Sequence, residues 1–209
     1  MFKDKKGHSL LEVVLSTIIF SLIMLTITAL LNIGLKSWQI GETSIDVQNA
    51  AEVTLHRLTG ELKLTSLGSC VIEPDYIVFD SAIDDYGKFK IDSITRTPLW
   101  QNYILYYKYK ADPNDDYSIL YRKKLSHDVS SVANRATVDS NDLKPDTNSR
   151  IVAKSVERFE VTRQGDLLNI RLICSRKIGE RKLPYNQDFD ADKIKASIDI
   201  LTSVFPRNN

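Results

Sequence analysis

One carboxylate, Glu12, stands at the head of a long uncharged run. It lies four residues after His8 and five after Gly7. From Val13 to Leu35 the chain reads VVLSTIIFSLIMLTITALLNIGL, with no ionisable side chain. A carboxylate within hydrocarbon costs about 2.5–3.5 kcal/mol on insertion scales, so Glu12 needs either the membrane edge or a positive partner. Cleavage after Gly7 creates such a partner, the α-amino group of His8.

Other groupings are weaker. Asp188, Asp190 and Asp192 alternate, and Asp199 falls at the twelfth place counted from Asp188, the spacing of a calcium loop. Lys193 occupies the place where that loop needs Gly, and the twelfth ligand is Asp rather than Glu. Asp112, Asn114 and Asp116 repeat the pattern with Lys123 at the twelfth place. Both read as solvated acidic loops, and no metal site is expected. Tyr103, Tyr107 and Tyr109 share one face of an extended segment and Tyr106 the other. They read as core packing on a helix. Arg122-Lys123-Lys124 reads as a basic guard on a strand edge rather than a DNA contact. Cys70 and Cys174 lie where a disulfide is permitted if the domain is extracytoplasmic, although spacing alone does not pair them. The three His fall at 8, 56 and 127, in different settings, and His56 reads as a solvated or boundary residue. No nucleophile–His–Asp set and no phosphate-binding glycine loop stands out, so neither an enzyme nor a cofactor is expected.

The elements that position these residues divide the chain into four segments. The chain has 209 residues and a net charge of +1, too near neutral for a general nucleic-acid binder. Residues 1–7, MFKDKKG, form a short basic leader. Residues 8–35 form an apolar segment longer than the ~20 residues that a helix needs to cross a bilayer. Lys3, Lys5 and Lys6 ahead of it place the N-terminus in the cytoplasm. A secretory signal has an apolar core of about 7–15 residues and a small-residue cleavage site, and this run fits neither. Residues 36–209 carry 25 basic and 25 acidic side chains, the balance of a soluble domain.

Residues 36–65 continue the helix as an amphipathic half. Ala51, Leu55, Leu58 and Leu62 make its apolar stripe, and Ile45 and Val47 extend it. A helix over 9–65 is about 85 Å long at 1.5 Å per residue. Residues 66–209 switch to short alternating runs. Strands are predicted at Tyr76–Phe79, Tyr103–Lys110, Ile119–Leu125, Phe159–Thr162, Leu167–Cys174 and Ile198–Phe205, with hairpin turns at ADPNDDYS and Gln164-Gly165-Asp166. Ser126–Arg150 and Ser175–Lys195 read as long polar loops. The fold class is α+β: a long N-terminal helix packed on an antiparallel sheet.

Gly7-His8-Ser9-Leu10-Leu11-Glu12-Val13, with the apolar run behind it, resembles the N-terminal motif of type IV prepilins. That motif has a basic leader ending in Gly, then a hydrophobic residue (usually Phe), then Glu at the fifth mature position. The resemblance implies that a prepilin peptidase cuts between Gly7 and His8 and methylates the new amine of His8, and that Glu12 is the assembly glutamate. His8 departs from the usual Phe. The absence of Pro before Pro74 also departs from major pilins, which often break the membrane helix with one. Gly34 and Gly41 are the weak points that remain. Further along, the Tyr-containing hairpin ending near LYRKKL resembles minor pilins of W type and minor pseudopilins of J type. So do Val156-Glu157-Arg158-Phe159-Glu160-Val161, the Gly-Asp turn, Leu168-Asn169-Ile170-Arg171-Leu172 and the final strand ending in PRN.

The resemblance implies a pilin-like fold and a minor subunit of a type IV pilus, type II secretion or competence (DNA uptake) apparatus. Such a subunit sits in the cytoplasmic (inner) membrane as a single-pass protein with its domain outside. Its implied partners are other pilin or pseudopilin subunits, the prepilin peptidase and the inner-membrane assembly platform, with no specific nucleic acid. The alternative is an extracytoplasmic binding or sensor module for which the helix is only a tether. A tether needs neither the Gly7–His8 junction nor Glu12.

Overall fold

The computed structural model describes residues 9–177 and 195–206. The chain divides into two compact units, one ending at Glu42 and the other beginning at Thr43. Helix α1, Leu10–Leu62, contributes to both. Ser9 precedes its first turn and accepts hydrogen bonds from the backbone N–H groups of Glu12 (2.9 Å) and Val13 (3.2 Å). No proline interrupts the helix, and it continues through Gly34, Gly41 and Gly60.

In the first unit every side chain from Leu10 to Leu35 is exposed. Many of them are β-branched, a type that water-soluble helices tend to avoid. A helix is nonetheless the conformation that an apolar run takes in lipid, because only there can each backbone N–H and C=O be satisfied within the segment.

In the second unit α1 buries Val47, Ala51, Thr54, Leu55, Leu58 and Leu62, one stripe at helical spacing. Ile45, expected on that stripe, is 58% exposed instead. It precedes Val47 by two residues, which places it well round the helix from the buried face. At the exit of α1, the Thr65 hydroxyl donates to the Asp80 carbonyl at 2.7 Å. A short 3-10 turn, Leu67–Ser69, follows.

Seven strands form one antiparallel sheet in sequence order: β1 Val71–Glu73, β2 Tyr76–Ser81, β3 Trp100–Tyr109, β4 Ser118–Ser130, β5 Ser149–Gln164, β6 Leu167–Lys177 and β7 Lys195–Val204. All six predicted strands are present. β1 was not expected, because Val71-Ile72-Glu73 is too short to show a period. The loop read as Ser126–Arg150 shrinks to 131–148, since β4 runs on to Ser130 and β5 starts at Ser149. Ser175–Lys177 likewise continues β6, and β7 begins at Lys195.

The sheet curls, and the irregularities of β5 show where. Pairing with β4 steps from Ala153 to Ile151 and skips Val152. Ser155 has φ of +59°, and pairing with β6 skips Glu157. Such bulges bend a strand and raise its twist. The first half of β5 pairs with β4 and the second half only with β6, while β1 comes round to touch β5.

The curled sheet has a core on each face. On the α1 face, Ile77, Phe79, Ile104, Tyr106, Leu120 and Phe159 pack with the helix stripe. On the other face, Val78, Leu105 and Tyr107 are buried, joined by Tyr103, Tyr109, Tyr121 and Leu125. Residues 131–148 cover this second face as a strap through half-buried Ala136, Val138 and Leu143.

Candidate functional site

The chemistry expected at the N-terminus centres on Gly7, His8 and Glu12. Gly7 and His8 lie outside the described residues. Glu12 is exposed in the first turn of α1, where a carboxylate interacts favourably with the helix dipole. It is also the third helical residue after Ser9. Ser9-Leu10-Leu11-Glu12 therefore has the spacing of a capping box, a local helix-start signal that the sequence reading passed over. That spacing suits a helix-start role for Glu12 beside any pairing role.

The apolar segment behind Glu12 is prepared for a dry environment. Each hydroxyl between Val13 and Leu35 is satisfied inside the helix: Ser16 donates to the Glu12 carbonyl, Thr17 to Val14, Ser21 to Thr17, Thr26 to Ile23 and Thr28 to Met24, all at 2.7–2.8 Å. Unsatisfied hydroxyls would cost a few kcal/mol each in hydrocarbon. The segment is long and apolar enough to span a membrane. Lys36 and exposed Trp38 follow it, residue types that favour a membrane–water boundary.

The groupings expected in the sheet domain have other roles. Tyr106 alone packs against the helix. Burial pushes its hydroxyl well above the usual tyrosine range, and Glu61, which accepts its hydrogen bond at 2.9 Å, adds to that. Tyr103, Tyr107 and Tyr109, expected against the helix, instead lie on the opposite face under the strap. Tyr107 stacks on Tyr121 with ring centres 5.6 Å apart.

Arg122-Lys123-Lys124 was expected on a strand edge, but β4 lies between β3 and β5 in the interior of the sheet. Four carboxylates take up the triplet, on alternating faces. On the helix face Arg122 Nε meets Glu61 at 3.0 Å, and Arg57 approaches the same carboxylate at 3.5 Å. On the strap face Lys123 Nζ meets Asp146 at 2.8 Å and Asp142 at 3.7 Å. Lys124 pairs with Asp85. Burial alone would lower the Lys123 pKa, but the hydrogen bond and charge of Asp146, with Asp142, raise it overall. The bond from Lys123 in turn holds the Asp146 carboxyl below the usual range.

The acidic turn at Asp112 closes on itself. Its carboxylate accepts from the Asn114 backbone at 2.9 Å, and Lys110 donates to the Asp115 carbonyl at 2.8 Å. Asp188–Asp192 lies outside the described residues. Asp199, the twelfth place of that pattern, is bonded to Arg171 Nε at 3.0 Å. Among the described residues no group of three or more His, Cys, Asp and Glu side chains gathers. His56 is exposed on α1. Cys70 and Cys174 are free and buried, and burial pushes their thiols up to about 12 and about 11.

No family model, curated protein or solved structure matches the chain.

Proposed function

We propose that the chain is a minor pilin or pseudopilin subunit. In this reading it waits in the cytoplasmic membrane and then assembles through its N-terminal helix into a type IV pilus-like filament or its tip-priming complex. The observation that carries the reading is the helix from Leu10 to Leu35, exposed at every position, with one carboxylate in its first turn. A segment of this kind is stable in lipid, and equally in a bundle of similar helices. Moving from the first to the second requires no new partner for its hydroxyls, which are already satisfied. Glu12 then pairs with the N-terminal amine of a neighbouring subunit. That pairing offsets the desolvation of both charges, a cost that neither group meets alone in a dry core.

The test is the intact mass of the chain expressed with and without a prepilin peptidase. Loss of residues 1–7, leaving a chain that begins at His8, supports the reading, and a further methyl identifies His8 as the modified amine. A chain left uncut by an active peptidase overturns it and leaves the helix as a membrane tether.

A further inference from the structure

Residues 131–148 cross the tyrosine face without joining the sheet. Among the described residues their backbone–backbone hydrogen bonds stay inside the segment and its exit turn: Asp142 to Asp139, Lys144 to Asn141 and Ser149 to Asp146. None of their side chains is fully buried, yet Val78, Leu105 and Tyr107 beneath them are 0% exposed. The ties to the rest of the domain are few. At one end the Asn134 N–H donates to Asp80 Oδ2 at 2.9 Å, and Arg135 Nε to the Gly68 carbonyl at 3.3 Å. At the other, Lys123 Nζ meets Asp146 and Asp142 and donates to the Asp142 carbonyl at 3.3 Å. Local turns close both ends. Ser130 Oγ accepts from the Val132 N–H at 3.0 Å, and the Ser149 N–H donates to the Asp146 carbonyl at 3.1 Å.

Lys123 sets the balance. It is 6% exposed and shares its face with Leu105, Tyr107, Tyr121 and Leu125. A charge taken out of water needs a partner, and both carboxylates that meet it, Asp142 and Asp146, come from the strap. Raising the strap returns Lys123 to water, which offsets part of the cost of exposing Val78, Leu105 and Tyr107. An apolar residue at 123 would offset none of it. We infer that residues 131–148 are a lid that lifts as a unit from the tyrosine face, latched by Lys123, while the sheet and the α1 core stay folded. Lifting breaks no bond of the strand ladders. It presents Tyr103, Tyr107, Tyr109 and Tyr121 with an ammonium group among them. Segments held by few apolar contacts and few backbone bonds are the ones that open ahead of global unfolding. The lid does not depend on assembly through α1.

Thiol labelling of the full chain in detergent tests the lid. Leu105→Cys puts a reporter beneath it, while Cys70 and Cys174 report on the α1 core. In native buffer Leu105→Cys is expected to label at least about tenfold faster than Cys174, because the lid opens more often than the whole domain unfolds. Adding Asp146→Asn weakens the pairing of Lys123 and is expected to raise that rate about tenfold, with Cys174 unchanged. Adding Lys123→Met as well removes the charge and is expected to slow labelling again. Val78→Cys, a smaller change of volume, is expected to behave like Leu105→Cys. Labelling of both reporters no faster than Cys174 overturns the inference, as does a rate that Asp146→Asn and Lys123→Met leave unmoved.

Discussion

The hydroxyl of Thr54 donates to the carbonyl of Val152 at 2.7 Å, across 98 positions of sequence. Val152 is the residue that the β4–β5 register skips, so its carbonyl is available to the helix. One bond thus joins the buried face of α1 to the place where the sheet bends. Thr54→Val keeps the shape but removes the donor and leaves a buried carbonyl unpaired. The expected loss is about 1–3 kcal/mol. It should appear as a lower urea midpoint at unchanged slope, with Thr54→Ser close to the parent.

Glu12 has two candidate uses, and one substitution separates them. Gln also serves at the third place of a capping box, so Glu12→Gln keeps the helix start and removes only the charge. The variant is expected to insert in the membrane and to be cut by the peptidase at the normal rate. It is expected to be lost from pulldowns of neighbouring subunits. Recovery equal to the parent would count against a pairing role for the carboxylate.

The strap over the tyrosine face should loosen in acid. Asp146 has its pKa lowered in the folded state, so its contribution is fully present above the ordinary Asp value of about 3.9. It is lost as pH falls below that value and through the folded pKa. Lys123 has its pKa raised, so its contribution holds at neutral pH and is lost only as pH rises past its folded value, above about 10.4. Limited proteolysis within 131–148 is expected to be slow at pH 7 and faster below about pH 4. Asp146→Asn should cut readily at both.

The cysteines should be silent in the native protein. With thiols pushed to about 12 and about 11 and both side chains buried, neither is appreciably a thiolate at pH 8. A thiol reagent is expected to label no site natively and two sites in denaturant. A missing pair of labels in denaturant would reveal a disulfide between Cys70 and Cys174.

The elements were legible where a period was sustained. The stripe Ala51, Leu55, Leu58, Leu62 showed the amphipathic helix, and alternation marked six strands. The order of the strands in the sheet has no local signal, and for that reason Arg122-Lys123-Lys124 was misread as an edge. Alternation also placed Tyr103, Tyr107 and Tyr109 together on one face, yet said nothing of what covers them. The cover is Ala136, Val138 and Leu143, whose irregular spacing in a polar stretch has neither a helical nor a strand period. Thr54 was passed over because a hydroxyl breaks an apolar count, although its bond to Val152 makes it part of the same face. Glu61 is similar: it becomes visible only when Tyr106 and Arg122 come to it from distant strands. At the N-terminus Glu12 stood out because a single charge in an apolar run is conspicuous in any context.

Strand order in this sheet is identical to chain order. A polypeptide delivered N-terminus first, from a ribosome or through a translocon, can therefore zip each new strand onto the one just completed. No strand needs to be held open for a later arrival, because each pairs with its neighbours in sequence, which keeps the entropic delay of closure small. Vectorial delivery also fixes which edge is finished last. β7 is added at the end, so the last edge of the sheet comes into existence only once the rest of the sheet is in place.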